Sequence, residues 1–244
     1  MRIYKNCYEL ISEIHRDCWE MGTEVHTDTY QNKVIKDDPE MMTREILNYS
    51  YALESLDKED YLYLADPRMK AYVNAEILDR TSRRPLNPGH SFLERHDVWD
   101  QFLNGLAKFD YTYSERIFAQ IDNVLKELVK HPDSRQCMIM IWDQHLDNAV
   151  MGGKKRVPCS ISYQFVHRNG KLNLIYYMRS CDVMTHFGVD VALAWKLLEY
   201  VARCTNMKVG MLYHNITSLH SYKRDWPLLK KCIDDVRSEK DTSR

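Results

Sequence analysis

The stretch from Ser160 to Thr205 constrains the fold most. Two strand-like segments, Ser160–His167 and Leu172–Arg179, flank Arg168-Asn-Gly170. Asn-Gly is the pair that a tight hairpin turn demands, so the two segments read as antiparallel neighbours. Residues 188–205 follow, with Val191, Ala192, Leu193, Ala194, Leu197, Leu198, Val201 and Ala202. A helix this apolar is expected to be buried. Further strand signals lie at Cys137–Trp142 and Met211–His214. Strands grouped together with helices beside them predict an α+β domain with a mixed sheet.

The rest of the chain fits one domain over 1–244. Apolar positions at helical spacing (Ile3, Tyr4, Cys7, Leu10, Ile11, Ile14, Cys18) predict a helix over 3–21, and residues 39–55 read as a second. Residues 114–130 read as an amphipathic helix stopped near Pro132. Residues 56–95 are charged and rich in turn formers, and read as an insertion or surface segment that includes a charged loop at Asp79–Arg84. The charged end, 233–244, is expected to fray.

Composition narrows the setting. No apolar run approaches the roughly 20 residues that span a bilayer, and the N-terminus has no signal-peptide core. The seven cysteines are an odd number without zinc-ligand spacing, so neither a disulfide framework nor a metal is expected, and a reducing cytoplasm is the expected home. A formal net charge of −1 gives no reason to expect nucleic acid as a partner.

The chain also orders a set of chemically capable side chains. Cys159 follows Pro158 just ahead of the first hairpin strand, and Arg179-Ser180 end the second. Asp182 and Asp190 come next, and His220 and Tyr222 stand two apart, so that they would point the same way from a strand. Singly, each has an ordinary reading: a buried thiol, a surface arginine, an aspartate capping the helix that follows. A nucleophilic thiolate, however, wants a nearby cation to lower its pKa, and Arg179 is the candidate.

Taken together, Pro158-Cys159, Gln164-Phe165, Met178–Asp190 and Ser218–Tyr222 resemble the active site of the thymidylate synthase superfamily, closest to the phage deoxycytidylate hydroxymethylases. The resemblance covers residues 113–226 well and 40–50 loosely. It implies a mixed sheet flanked by helices and a homodimer packed through sheet faces. It makes Cys159 the nucleophile at C6 of a pyrimidine nucleoside monophosphate, with Glu45 and Tyr113 as further catalytic groups. Arg135, Arg179 and Ser180 would hold the phosphate, His220 and Tyr222 the sugar hydroxyl, and Gln164 would also contact substrate. Asp182 and Trp99 would contact 5,10-methylenetetrahydrofolate, the implied co-substrate. The family's paired arginines are here Arg135-Gln136, so one is missing, and His186 stands where a synthase has glycine.

Asp190 decides the substrate, because it stands where a uracil-reading enzyme carries asparagine. Uracil offers an N3–H donor and an O4 acceptor, which an amide satisfies. Cytosine offers an N3 acceptor and an amino donor, which a carboxyl with a shared proton satisfies. The expected activity is hydroxymethylation of dCMP. CMP hydroxymethylation, a divergent dUMP-methylating synthase and a non-catalytic nucleotide-binding descendant are the alternatives.

Overall fold

In the computed structural model, which describes residues 1–30, 33–148 and 156–242, the hairpin is the centre of a mixed sheet. The chain runs β1 (Arg2–Tyr4), α1 (Cys7–Met21), β2 (Thr23–Val25), β3 (Thr29–Tyr30), β4 (Lys33–Val34), β5 (Thr43–Leu53), α2 (Met69–Thr81) and α3 (His96–Trp99). It continues through α4 (Tyr113–Lys130), β6 (Met138–Met140), β7 (Ser160–Arg168), β8 (Lys171–Met178), β9 (Cys181–Asp182), α5 (Phe187–Cys204), β10 (Lys208–Tyr222) and α6 (Trp226–Thr242). The strand order is β1-β5-β10-β8-β7-β6, with β2 beside β5 and β9 beside β10. β10 runs antiparallel to β5 and parallel to β8, so the sheet is mixed.

Local chemistry sets these elements. Asn169 and Gly170 take φ values of 53° and 74°, the left-handed turn that the β7–β8 hairpin needs. Thr112 and Glu115 form a reciprocal capping box at the start of α4. In β8, Leu172, Leu174, Tyr176 and Met178 are buried, whereas Tyr177 is exposed, the period-two pattern of a sheet with one covered face. α5 supplies the cover: twelve of its residues are buried, from Phe187 to Ala202. Its first turn presses on the 59–63 turn so closely that a Cβ on Gly188 would fall 1.8 Å from the Leu62 carbonyl oxygen. Among the described residues no helix is long and apolar enough to cross a membrane.

Several elements differ from the sequence reading. Residues 43–53 form a strand, not part of a helix over 39–55. Thr43, Ile46, Tyr49 and Tyr51 favour the pleated surface, and β1 and β10 pair with both edges of the strand. The helix expected from residue 3 begins at Cys7, because residues 2–4 pair with β5. The strand expected at Met211–His214 is fifteen residues long and carries His220 and Tyr222 on its end. Residues 56–95 are no mere surface segment: α2 buries Met69, Tyr72, Val73, Asp79 and Arg80. The charged loop expected at Asp79–Arg84 therefore begins as the last turn of a packed helix. Past residue 232, α6 continues with Ile233 and Val236 buried.

Candidate active site

A cleft of about 240 Å³ gathers Cys159, Arg179, Ser180, Asp182, Asp190, His220, Tyr222, Trp99 and Tyr113. They come from separate parts of the chain. Cys159 immediately precedes β7 and Arg179-Ser180 follow β8, so the hairpin brings them side by side. The first turn of α5 brings Asp190, and the end of β10 brings His220 and Tyr222.

Arg179 grips the nucleophile's own backbone. Its Nε donates to the Pro158 carbonyl at 2.8 Å, and its Nη2 to the Val157 carbonyl at 3.3 Å. The same Nη2 lies 3.8 Å from Cys159 Sγ. Burial nevertheless pushes the Cys159 thiol up, and Arg179 only opposes this. The low-pKa thiolate expected beside Arg179 is thus not the resting state: desolvation, helped by the charges of Asp190 and Asp182, outweighs Arg179 and Arg156. The Tyr113 hydroxyl accepts from the Ser160 N–H at 3.3 Å, and the Ser160 hydroxyl pairs with that of Tyr176 at 2.5 Å. Burial keeps Tyr113 a neutral phenol.

Asp190 is the most perturbed carboxyl of the cleft. Its one hydrogen-bond partner among the described residues is the Cys181 thiol, 3.7 Å from Oδ2. Burial pushes it up to about 7, against the pull of Arg80. It does not cap α5: His186 holds that position, and the Asp190 N–H donates to the His186 carbonyl at 2.8 Å. Asp182 Oδ1 accepts from the amides of Met184 and Thr185 at 3.0 and 3.3 Å. His220 packs edge-on against Tyr222 and lies 3.3 Å from the Ser218 hydroxyl.

Three expected site residues lie outside the cleft. Glu45 is on β5, paired in register with His220 rather than borne on a helix, and accepts from the Ser218 hydroxyl. It reaches the cleft only through Ser218 and His220. Gln164 Nε2 donates to the Arg135 carbonyl at 3.0 Å. Arg135 is exposed in a separate depression with His131, Gln136 and Arg168. Gln164 and Arg135 therefore form a neighbourhood of their own, away from Cys159 of the same chain.

The glutamate that does face the cleft is Glu76, on α2. Its Oε1 accepts from Arg80 Nε at 2.7 Å and its Oε2 from the Ser91 hydroxyl at 2.6 Å. Arg80 is 4% exposed, stacks 4.3 Å over Tyr113 and donates to the Tyr163 hydroxyl at 3.3 Å. The sequence signal was the Glu76/Arg80 spacing of four, which on an ordinary helix is a solvated surface pair. Arg156 also enters the cleft, its guanidinium 4.6 Å over Trp99 and 5.0 Å over Tyr111. Among the described residues no group of His, Cys, Asp and Glu is arranged to hold a metal ion.

Comparison with known proteins places this geometry. The thymidylate synthase family model matches residues 85–242. A putative thymidylate synthase of Methanosarcina barkeri is 31% identical over 134 residues, 52% of this chain and 60% of that protein. The deoxyuridylate hydroxymethyltransferase of Bacillus phage SP01 is 34% identical over 119 residues, 48% of this chain and 30% of that protein. The structure of thermostable thymidylate synthase A from Bacillus subtilis superposes with a TM-score of 0.70 at 18% identity, covering 94% of this chain and 84% of that one, which shows the fold. The alignments thus span about 60% or less of the first curated relatives. With more than half of its residues inside the family model, the chain belongs to the thymidylate synthase family.

Proposed function

We propose that this protein is a pyrimidine nucleotide hydroxymethylase acting on dCMP, with 5,10-methylenetetrahydrofolate as co-substrate, to give 5-hydroxymethyl-dCMP. The observation that carries the reading is the carboxyl of Asp190, in the cleft with Cys159, which burial pushes up to about 7, so that a proton is there to be shared. A carboxyl in that state donates to N3 of cytosine and accepts from its amino group. Toward uracil the ionised form accepts from N3–H but sets its second oxygen against the O4 acceptor, whereas on cytosine protonated at N3 both oxygens find donors. The phage relative named for hydroxymethyl transfer to deoxyuridylate supports the reaction type and not the base.

The cleft suits a folate. Trp99, Phe102 and Phe109 form an aromatic wall against which a flat ring can lie. Asp182 keeps Oδ2 without a hydrogen-bond partner among the described residues, an acceptor for a ring amine. When bound, the folate would supply the one-carbon unit as an electrophile for C5. The protein's own groups do the rest. Arg179 and Ser180 take the phosphate, and Cys159 Sγ adds to C6 while Asp190 shares its proton with N3. That proton withdraws electrons from the ring and helps the thiolate attack. Glu76, fixed by Arg80 and Ser91, accepts the proton lost from C5 as the bond from the methylene to the carrier's nitrogen breaks, and gives that proton to the departing amine, which returns Glu76 to its ionised form. Water then adds to the exocyclic methylene, and Cys159 leaves.

A homodimer completes the proposal. The sheet face away from α5 carries Met138 at 39%, Met140 at 43% and Tyr177 at 41% exposure, an apolar strip that a second copy would cover. Through it Arg135 would reach a partner's phosphate.

Tritium release from C5-labelled nucleotide tests the reading. With methylenetetrahydrofolate present, release from dCMP should exceed release from dUMP. Preference for dUMP would contradict the assignment of Asp190.

A further inference from the structure

His186 lines the same cleft as Cys159 and Asp190. It caps α5, and Asp190 begins one turn later with its N–H on the His186 carbonyl at 2.8 Å. The imidazole lies among Arg156, Asp182 and His220, which line the cleft together with Asp190. The ring meets Trp99 edge-on, with centroids 6.0 Å apart. That is the aromatic wall proposed for the one-carbon carrier.

The imidazole is also fixed in one form. Arg95 Nη1 lies 3.2 Å from its Nε2. A guanidinium only donates, so Nε2 accepts and the ring hydrogen is on Nδ1. Arg95 is itself 5% exposed and sits 5.6 Å from the Trp99 centroid and 5.7 Å from that of Tyr72, so the lock is built into the wall. Burial and the Arg95 charge hold His186 neutral, its pKa lowered to about 3. Nδ1 has no hydrogen-bond partner among the described residues.

We propose that His186 is a positioning residue that holds, through Nδ1–H, the water that adds to the exocyclic methylene of the Cys159-bound pyrimidine. The inference rests on the hydroxymethylase reading. In this step the water oxygen bonds to the CH₂ carbon, and the exocyclic π pair returns to the ring. The C6–S bond breaks to release the Cys159 thiolate, and the second water proton passes to Glu76. No hydride or other reductant enters. A donor at Nδ1 leaves the second lone pair of the water free to attack.

The step runs backwards without folate, which provides the test. Incubated with 5-hydroxymethyl-dCMP in H₂¹⁸O, the protein should lose and regain the hydroxyl and incorporate the label. The reading is the ratio of this oxygen exchange to C5–H exchange from tritiated dCMP, which needs Cys159 but no water at the methylene. His186→Leu should lower the ratio roughly tenfold or more, the scale of one lost buried hydrogen bond. His186→Asn, which keeps an N–H donor, should restore part of it. An unchanged ratio in His186→Leu would overturn the inference and leave the hydroxymethylase reading standing. A wild-type protein that exchanges C5–H but no oxygen would overturn both.

Discussion

Replacing Cys159 with alanine should abolish turnover while leaving the protein folded. C5 tritium release from dCMP should fall by roughly 10⁴-fold or more, the scale seen when a covalent nucleophile is deleted. No other described cysteine can substitute. Cys181, which lines the same cleft, is buried, and its thiol is turned to Asp190. The cost in stability should be small, because Cys159 is only half-buried and its one polar contact is the long approach from Arg179. Thermal unfolding within a few degrees of wild type, together with retained dCMP binding by calorimetry, would locate the loss in the chemistry. Residual release near wild-type levels would mean that the ring is activated without a C6 adduct.

Asp190→Asn should exchange the base that the cleft accepts. An asparagine amide held in the orientation that suits uracil sets its N–H against the cytosine amino group and its carbonyl against N3, and it has no proton to share with N3. Each buried mismatch costs about 1–3 kcal/mol, so kcat/KM for dCMP should drop roughly 10²–10⁴-fold. The same amide suits uracil, and dUMP should become the better substrate. The pH profile carries a second signature. Wild type needs Asp190 protonated, which fails above about 7, and Cys159 as thiolate, which grows with pH toward a pKa raised above the ordinary thiol value. Below about 7 the thiolate fraction rises tenfold per pH unit; above it, loss of the Asp190 proton cancels that rise. The dCMP profile should therefore bend to a plateau near pH 7. Asp190→Asn with dUMP should keep rising through that point. A bend that survives the substitution would belong to another group. The sign for stability is consistent: a carboxyl raised from 3.8 to about 7 opposes folding increasingly as pH climbs through that interval. Asp190 is thus held in its buried site at some cost to the fold.

Cys159, Arg179 and Asp190 were readable as neighbours because each sits at the end of a strongly patterned element, whereas His220 and Tyr222 joined the series through the family resemblance. The Asn-Gly turn fixed the hairpin that joins Cys159 to Arg179, and the apolar helix behind Asp190 is hydrophobic enough to be buried in any arrangement. Which glutamate faces the cleft was not readable. Glu45 stands in a segment whose apolar pair, Ile46 and Leu47, reads as helical, while its Thr and Tyr residues favour a strand; pairing with β1 and β10 decided between them. Glu76 was hidden because α2 buries an ion pair. From sequence alone Glu76 and Arg80 look like solvated charge, and only the packing of α2 against α4 and α5 turns them into the cleft. Arg179 shows the same limit in its electrostatics. Its proximity to Cys159 followed from the hairpin, but the balance between its charge and the burial of the thiol depends on depth, which spacing does not report.

The most direct test of the account is the mass of the product formed from dCMP and methylenetetrahydrofolate. A nucleotide one CH₂O unit heavier than dCMP, with tetrahydrofolate as the released carrier, is the predicted result. A product one CH₂ unit heavier, or conversion of dUMP alone, would contradict it.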